Sequence, residues 1–255
     1  MRGVEVDTAF FDGNQAPEVG VEGCCLDDDE AGVRERGYAG WETILSMQEC
    51  GPSRRHAWLL PRLTEKAYTH IRLCMYPDGG IARFRLYGSV VPILPQSLTE
   101  TFDLAATVNG GVAVACSDQH FGVKENLLLP GRGKDMGDGW ETKRSRGVHV
   151  DWVVVRLGCA GVIERVVVDT AHFRGNFPQK VQLFAAELGS GVEEVPGSEE
   201  HERWTQILSP RPCGPDREHE FADLEGVEGK VYGAVKMVII PDGGVKRLRV
   251  FGRRG

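Results

Sequence analysis

Two passages of this 255-residue sequence are written twice. VEVDTAFFDGN at 4–14 matches VVVDTAHFRGN at 166–176, an offset of 162. PDGGIARFRLYG at 77–88 matches PDGGVKRLRVFG at 241–252, an offset of 164, with seven of twelve positions identical. Blocks that agree in order and nearly in offset constrain the fold more than any composition, because each copy must then be one structural unit. A Trp-led stretch lies between the blocks in each half, AWLLPRLTE at 57–65 and RWTQILSPR at 203–211. It is expected to be a third equivalent, with loops absorbing the unequal spacing.

The unit reads as β-structure. DWVVVRLG (151–158) and ERVVVDT (164–170) are β-branched runs of strand length, and CAGVI between them is expected to turn the chain. IRLCMYP and VKMVIIP are strands ended by proline. The PDGG that follows supplies a turn, since proline fixes φ and glycine accepts positive φ. RFRLYG and RLRVFG alternate, which predicts Arg83 and Arg85 on one face and Phe84 and Leu86 on the core face. No segment predicts a capped amphipathic helix longer than about two turns. Short strands with turn signals every ~8–12 residues predict an all-β, antiparallel sandwich class.

The copies are unequal. The second is expected over 99–255. The first is expected over 1–95, beginning at Met1 opposite Ile163, so that nothing in it corresponds to 103–162. A sandwich without those strands would leave open edges. The chain is therefore expected to begin late relative to the ancestral unit.

Composition excludes several classes. Hydrophobic residues at 41% and charged residues at 26% are those of a globular protein. A net charge of −7 disfavours a nucleic-acid partner. No apolar run approaches the ~18 residues of a membrane span, and MRGVEVDTAFFDG has no signal-peptide pattern. Seven cysteines, with no CxxC pair, predict reduced thiols and a cytoplasmic protein. No GxGxxG, P-loop, GxSxG or HExxH occurs.

Taken together, SDQHFG and ENLL (117–128), DGWETKRSRG with DWVVVRLG (138–158), GVIERVVVDTAHFRGNFP (161–178) and PDGG with RLRVFG resemble the allantoicase family. The resemblance covers 99–255 and, in the first copy, 2–14 and 57–88. It implies tandem jelly-roll, galactose-binding-like β-sandwiches, the first one incomplete. It also implies an enzyme hydrolysing allantoate to ureidoglycolate and urea. This sequence departs from the family in carrying DGWET once, whereas such enzymes carry it in both copies. The alternative is a non-catalytic small-molecule-binding sandwich, or an inactive truncated member.

Allantoate carries two ureido groups and a carboxylate on one carbon. Releasing urea calls for a cationic clamp, an acid for the departing nitrogen, and a base or metal to activate water. DGWETKRSR offers Glu141 for proton transfer and Arg144 with Lys143 for the carboxylate, an arginine fork suiting it better than lysine. If the stretch is extended, Glu141 and Lys143 share a face and Arg144 takes the other. The plain alternative is a solvated loop with Trp140 as packing anchor.

VDTAHFRGNFP offers His172, a proton carrier near neutral pH, although its twin is Phe10 and it could equally be a packing aromatic. Asp169 is a catalytic candidate or a turn cap. Asn176 can donate to and accept from a ureido group, and its twin Asn14 fits structure as well. Asp242, Arg247 and Arg249 form a third constellation, able to hold an anion or to pair with neighbouring carboxylates. Arg156 inside WVVVRLG calls for a partner, with Asp169 the candidate. His149 with Asp151, and His120 with Asp118, are dispersed pairs that assert no metal. The small molecule is the expected partner, with no nucleic acid and no membrane; a divalent ion and a homo-oligomer stay open.

Overall fold

The computed structural model describes residues 1–26, 33–34, 37–188 and 194–255. It divides into two compact units, Met1–Ser89 and Val90–Gly255. Both are all-β, and among the described residues no helix is long and apolar enough to cross a membrane.

The first unit faces two three-stranded antiparallel sheets. One has β1 (Gly3–Asp7) between β4 (Arg55–Leu59) and β6 (Arg83–Tyr87). The other has β2 (Glu18–Cys24) between β3 (Glu42–Glu49) and β5 (His70–Tyr76). Period-two alternation turns Val4 and Val6 of β1 toward Val19 and Val21 of β2, and these four valines anchor the core. Glu5, on the outer face of β1, accepts from Arg55 at 2.8 Å and from Tyr87 Oη at 2.9 Å. The Arg55 guanidinium holds its carboxyl below the usual range.

The second unit repeats this plan with more strands. β11 (Lys180–Ala186) lies between β12 (Thr205–Pro212) and β14 (Tyr232–Ile240), as β2 lies between β3 and β5. β10 (Asp151–Asp169) is continuous for 19 residues. Its first half pairs with β14 and with β8 (Val112–Cys116), and its second half with β13 (Glu218–Phe221) and β16 (Arg247–Arg254). The expected turn at CAGVI is thus a bend inside one strand, where the register shifts between Arg156 and Gly161. The bend brings backbones too close for side chains: a Cβ on Gly158 would lie 1.8 Å from the Asn109 carbonyl oxygen. β10 therefore serves both layers, and Val153, Val155, Val166 and Val168 all reach one core. Arg156 points to solvent, not to Asp169.

The strand pairings correct the third repeat block. Trp58 sits on β4, paired with β1, whereas Trp204 precedes β12, paired with β11. The structural twin of Trp204 is Trp41. WETILSMQECGPSRRH (41–56) and WTQILSPRPCGPDREH (204–219) share nine of sixteen positions at a constant offset of 163. Both end in the same corner: the Gly51 amide donates to His56 Nε2 at 3.1 Å, and the Gly214 amide to His219 Nε2 at 2.7 Å.

Leu86 is 39% exposed rather than buried, while its twin Val250 is fully buried. Val250 packs with Leu104, Leu127 and Leu128. These come from the 103–162 stretch, which has no counterpart in the first unit of this sequence.

Candidate active site

PDGG is repeated because its glycines are pressed against the other repeated block. A Cβ on Gly243, whose φ is 134°, would stand 2.7 Å from the Asn176 carbonyl oxygen, and one on Gly79 would overlap Ala16. Gly244 and Gly80 lie against the rings of Phe173 and Phe11. The following amide closes the contact in both copies: Gly244 donates to the Asn176 carbonyl at 2.7 Å and Gly80 to that of Asn14 at 2.8 Å. The backbone explains why both asparagine positions share this geometry and leaves the Asn176 side chain for another use.

The second unit adds a two-residue strand to this junction. β9 (Trp140–Glu141) pairs with β15 (Gly244–Val245), so that Glu141 lies opposite Gly244. Trp140 is the anchor: it is buried in the core and donates from Nε1 to the Asp118 carbonyl at 2.8 Å. On the other side, Glu141 bridges Gly122 of the SDQHFG segment. Thr142 is buried, and its hydroxyl receives the Gly243 amide at 3.2 Å. Glu141 is thereby held by backbone on both flanks.

A cleft of about 590 Å³ opens over this junction. Glu141, Arg144, Asn176 and Asp242 line it, with Phe121 and Phe177 supplying apolar surface. Asn176 Nδ2 donates to Glu141 Oε1 at 2.5 Å, which leaves the amide oxygen of Asn176 as an acceptor. Asp242 Oδ2 accepts the Ser145 amide at 2.7 Å. The Arg144 guanidinium has no hydrogen bond or ion pair among the described residues and is exposed, so it is free for an incoming anion.

The extended-strand expectation placed Glu141 with Lys143 and opposite Arg144. The structure brings Glu141 and Arg144 to the same cleft instead, because the regular strand ends at Glu141 and Thr142 turns inward to Gly243. Lys143 lines a separate cleft of about 230 Å³, with Ser117, Asp118, His149 and Asp151. Ser145 borders both clefts. Among the described residues no group of three or more His, Cys, Asp or Glu forms a metal-holding cluster.

The remaining candidates lie outside the main cleft and have structural partners. Asp169 is buried in a bidentate pair with Arg132, both contacts at 2.8 Å, and caps the turn by accepting the Ala171 amide at 2.8 Å. His172 adopts φ 68° in that turn, its amide donating to Asp216 Oδ1 at 2.7 Å. Its twin Phe10 has φ 69° and is 96% exposed, so the position is shaped by backbone geometry in both copies. Arg249 donates to the Leu129 and Gly131 carbonyls at 2.5 and 3.0 Å. Arg247 donates to the Asp138 carbonyl at 2.6 Å, and Lys246 pairs with the Asp138 carboxylate. Burial, with Arg247 alongside, pushes the Lys246 ammonium down. These cations fasten the 129–138 loop to β16 rather than face a ligand.

Phe121, Thr142, Ser145 and Phe177 belong to the cleft but carry no signal of their own in the sequence. For Phe121 the pointer was its place beside Gly122, which pairs with Glu141. A cleft of about 450 Å³ in the first unit is lined by Glu42, Arg62, Glu65 and Lys66, and Lys66 and Glu42 pair with each other at 2.5 Å. It contains no residue of the VDTA or PDGG blocks.

Comparisons with known proteins place this architecture. The allantoicase repeat model matches residues 1–91 and 102–255. Allantoicase of Neurospora crassa is 58% identical over 256 residues, covering 100% of this chain and 71% of that protein. A probable allantoicase of Schizosaccharomyces pombe is 50% identical, covering 100% of this chain and 72% of the relative. The crystal structure of allantoicase from Saccharomyces cerevisiae superposes with a TM-score of 0.84 at 47% identity, covering 99% of this chain and 73% of that one. With its repeat matched on both sides of the 91–102 junction, and the fold shared with a solved member, this chain belongs to the allantoicase family.

Proposed function

We propose that this chain is an allantoicase, hydrolysing allantoate to ureidoglycolate and urea, and that the cleft carrying Glu141 is where it does so. The observation that supports the site most directly is the convergence in one cleft of the Glu141–Asn176 pair with Arg144, which has no partner among the described residues. The substrate has one carboxylate and two ureido groups. An unpaired guanidinium suits the carboxylate by a two-point contact. The oxygen of Asn176 suits a ureido N–H, and its N–H₂ keeps the Glu141 carboxyl turned toward the same space.

Breaking the C–N bond requires a proton on the departing urea nitrogen and removal of one from the attacking water. Glu141 is the carboxyl placed to carry it, and Arg144 fixes the reacting carbon by holding the carboxylate. Asp242 orders the wall by holding the Ser145 amide. His172 and Asp169 have no place in this scheme, since the turn and the Arg132 pair account for them. Seven free thiols fit a cytoplasmic setting for this activity.

Urea released from allantoate by the purified 255-residue chain, with and without added divalent metal, tests the activity. The same assay on Glu141→Gln tests the site, and unaltered turnover in that variant removes Glu141 from the mechanism.

A further inference from the structure

The side cleft holds a carboxylate with an unmet bond. Asp151 is 1% exposed. Its Oδ1 accepts from Ser117 Oγ at 2.7 Å and from His149 Nε2 at 3.0 Å. Its Oδ2 is buried and has no partner among the described residues. A buried acceptor left unsatisfied is costly, so the position calls for a donor from outside the protein. His149 donates to Oδ1 through Nε2. Asp118 has already committed Oδ2 to the Lys143 amide at 2.8 Å.

The chemistry of the lining selects the donor. Among the described residues a divalent cation finds no group of three or more His, Cys, Asp or Glu here, and an ammonium or guanidinium, though drawn by Asp118 and Asp151, would meet the Lys143 charge in the same cleft. A neutral amide with N–H groups at one end and a carbonyl at the other meets neither objection. Its N–H bonds Asp151 Oδ2, and its oxygen accepts from Lys143 or from the hydroxyl of Ser145. The wall shared with the main cleft is the short stretch Lys143–Ser145, whose Arg144 faces that cleft and whose Ser145 borders both.

We infer that the cleft of Ser117, Lys143, His149 and Asp151 is a subsite for a urea-shaped amide, with Asp151 Oδ2 as its acceptor. It rests on reading the neighbouring cleft as the allantoate site, and adds to it a receptor for a ureido group. Two sources share that chemistry: a ureido group of the bound substrate, and the urea set free.

The test is a urea titration of the full 255-residue chain, followed through the ring C–H resonances of its seven histidines. The His149 resonance is identified by its loss in His149→Gln. The subsite predicts a saturable shift of His149 that disappears in Asp151→Asn and weakens about tenfold in Lys143→Ala, the loss of one charge-assisted bond. Lys143 is exposed, so its variant keeps the fold if Asp151→Asn does not. A linear drift of all histidines alike, or an undiminished shift in the folded variants, overturns the inference.

Kinetics of Lys143→Ala separate the sources. A KM for allantoate raised about tenfold assigns the subsite to the substrate, whereas an unchanged KM with urea inhibition weakened about tenfold assigns it to the product. If both constants keep their wild-type values the inference fails, while loss of turnover in Glu141→Gln still upholds the main cleft. If the wild-type chain releases no urea from allantoate, the main-cleft reading fails, and the urea titration alone decides the side cleft.

Discussion

Asn176 donates to Glu141 across the junction of two repeated blocks, Nδ2 to Oε1 at 2.5 Å, and so fixes the direction in which that carboxyl faces. Glu141→Gln keeps an oxygen for this bond and removes only the ionisable group. Turnover is expected to fall by about 100-fold or more, the usual contribution of a general acid–base group, with little change in thermal stability. Urea release and a melting curve on the same preparation check both halves.

Among the described residues Arg144 has no partner, so its loss breaks no pair there. Arg144→Ala is expected to raise KM for allantoate by about thirtyfold, corresponding to about 2 kcal/mol for a charge-assisted contact. Arg144→Lys should fall between the variant and the wild type, because the charge survives and the fork does not. Initial-rate measurements over a range of allantoate concentration decide it, and an unchanged KM in Arg144→Ala takes the residue out of the carboxylate clamp.

Arg132 and Asp169 should respond asymmetrically. Arg132 is 51% exposed, as a side chain, and can return to water when Asp169→Asn removes its partner. Arg132→Ala instead strands a carboxylate that is buried in the turn, with the Ala171 amide as its remaining side-chain hydrogen bond among the described residues and the Arg247 and Arg249 charges nearby. The expected cost is about 3 kcal/mol for Arg132→Ala and about 1 kcal/mol for Asp169→Asn. Chemical denaturation of the two variants measures the difference, and equal costs would refute this account.

His219 should make stability fall on the acid side. Burial lowers its pKa, with Arg217 adding to that, while the Val168 carbonyl and Asp169 work the other way. Nδ1 donates to the Val168 carbonyl at 3.0 Å, and Nε2 accepts from the Gly214 amide, with Arg217 Nε at 3.3 Å. The unfolded chain, with an ordinary imidazole near pH ~6.5, takes up its proton before the folded chain does. Protonation therefore favours unfolding: this contribution is full above that pH and is lost as pH falls through the depressed folded value. His219→Gln should flatten that part of a stability-versus-pH curve; an unchanged slope excludes His219 as its source.

The all-β class and the doubling were readable in the sequence because glycine and proline leave fixed marks: PDGG meets the same close approach in both copies. Trp41 and Trp204 were harder to match, since their nine shared positions are spread over sixteen with strand residues between, and Trp58 offered a decoy nearer the next block. The site was partly legible. Glu141, Arg144, Asn176 and Asp242 reach one cleft, but alternation put Arg144 on the wrong face because it cannot foresee that Thr142 turns inward. Asp169 and Arg249 stayed open between chemistry and structure because their partners lie far away in sequence, at Arg132 and at the Leu129 and Gly131 carbonyls. The unmet oxygen of Asp151 is a property of three dimensions, invisible in a string of letters.

The stretch from Lys143 to Ser145 borders two chambers at once, with Arg144 on the larger, Lys143 on the smaller and Ser145 on both. Changing residue 143 therefore alters the charge of one chamber and changing residue 144 that of the other, so the two can vary independently although they adjoin.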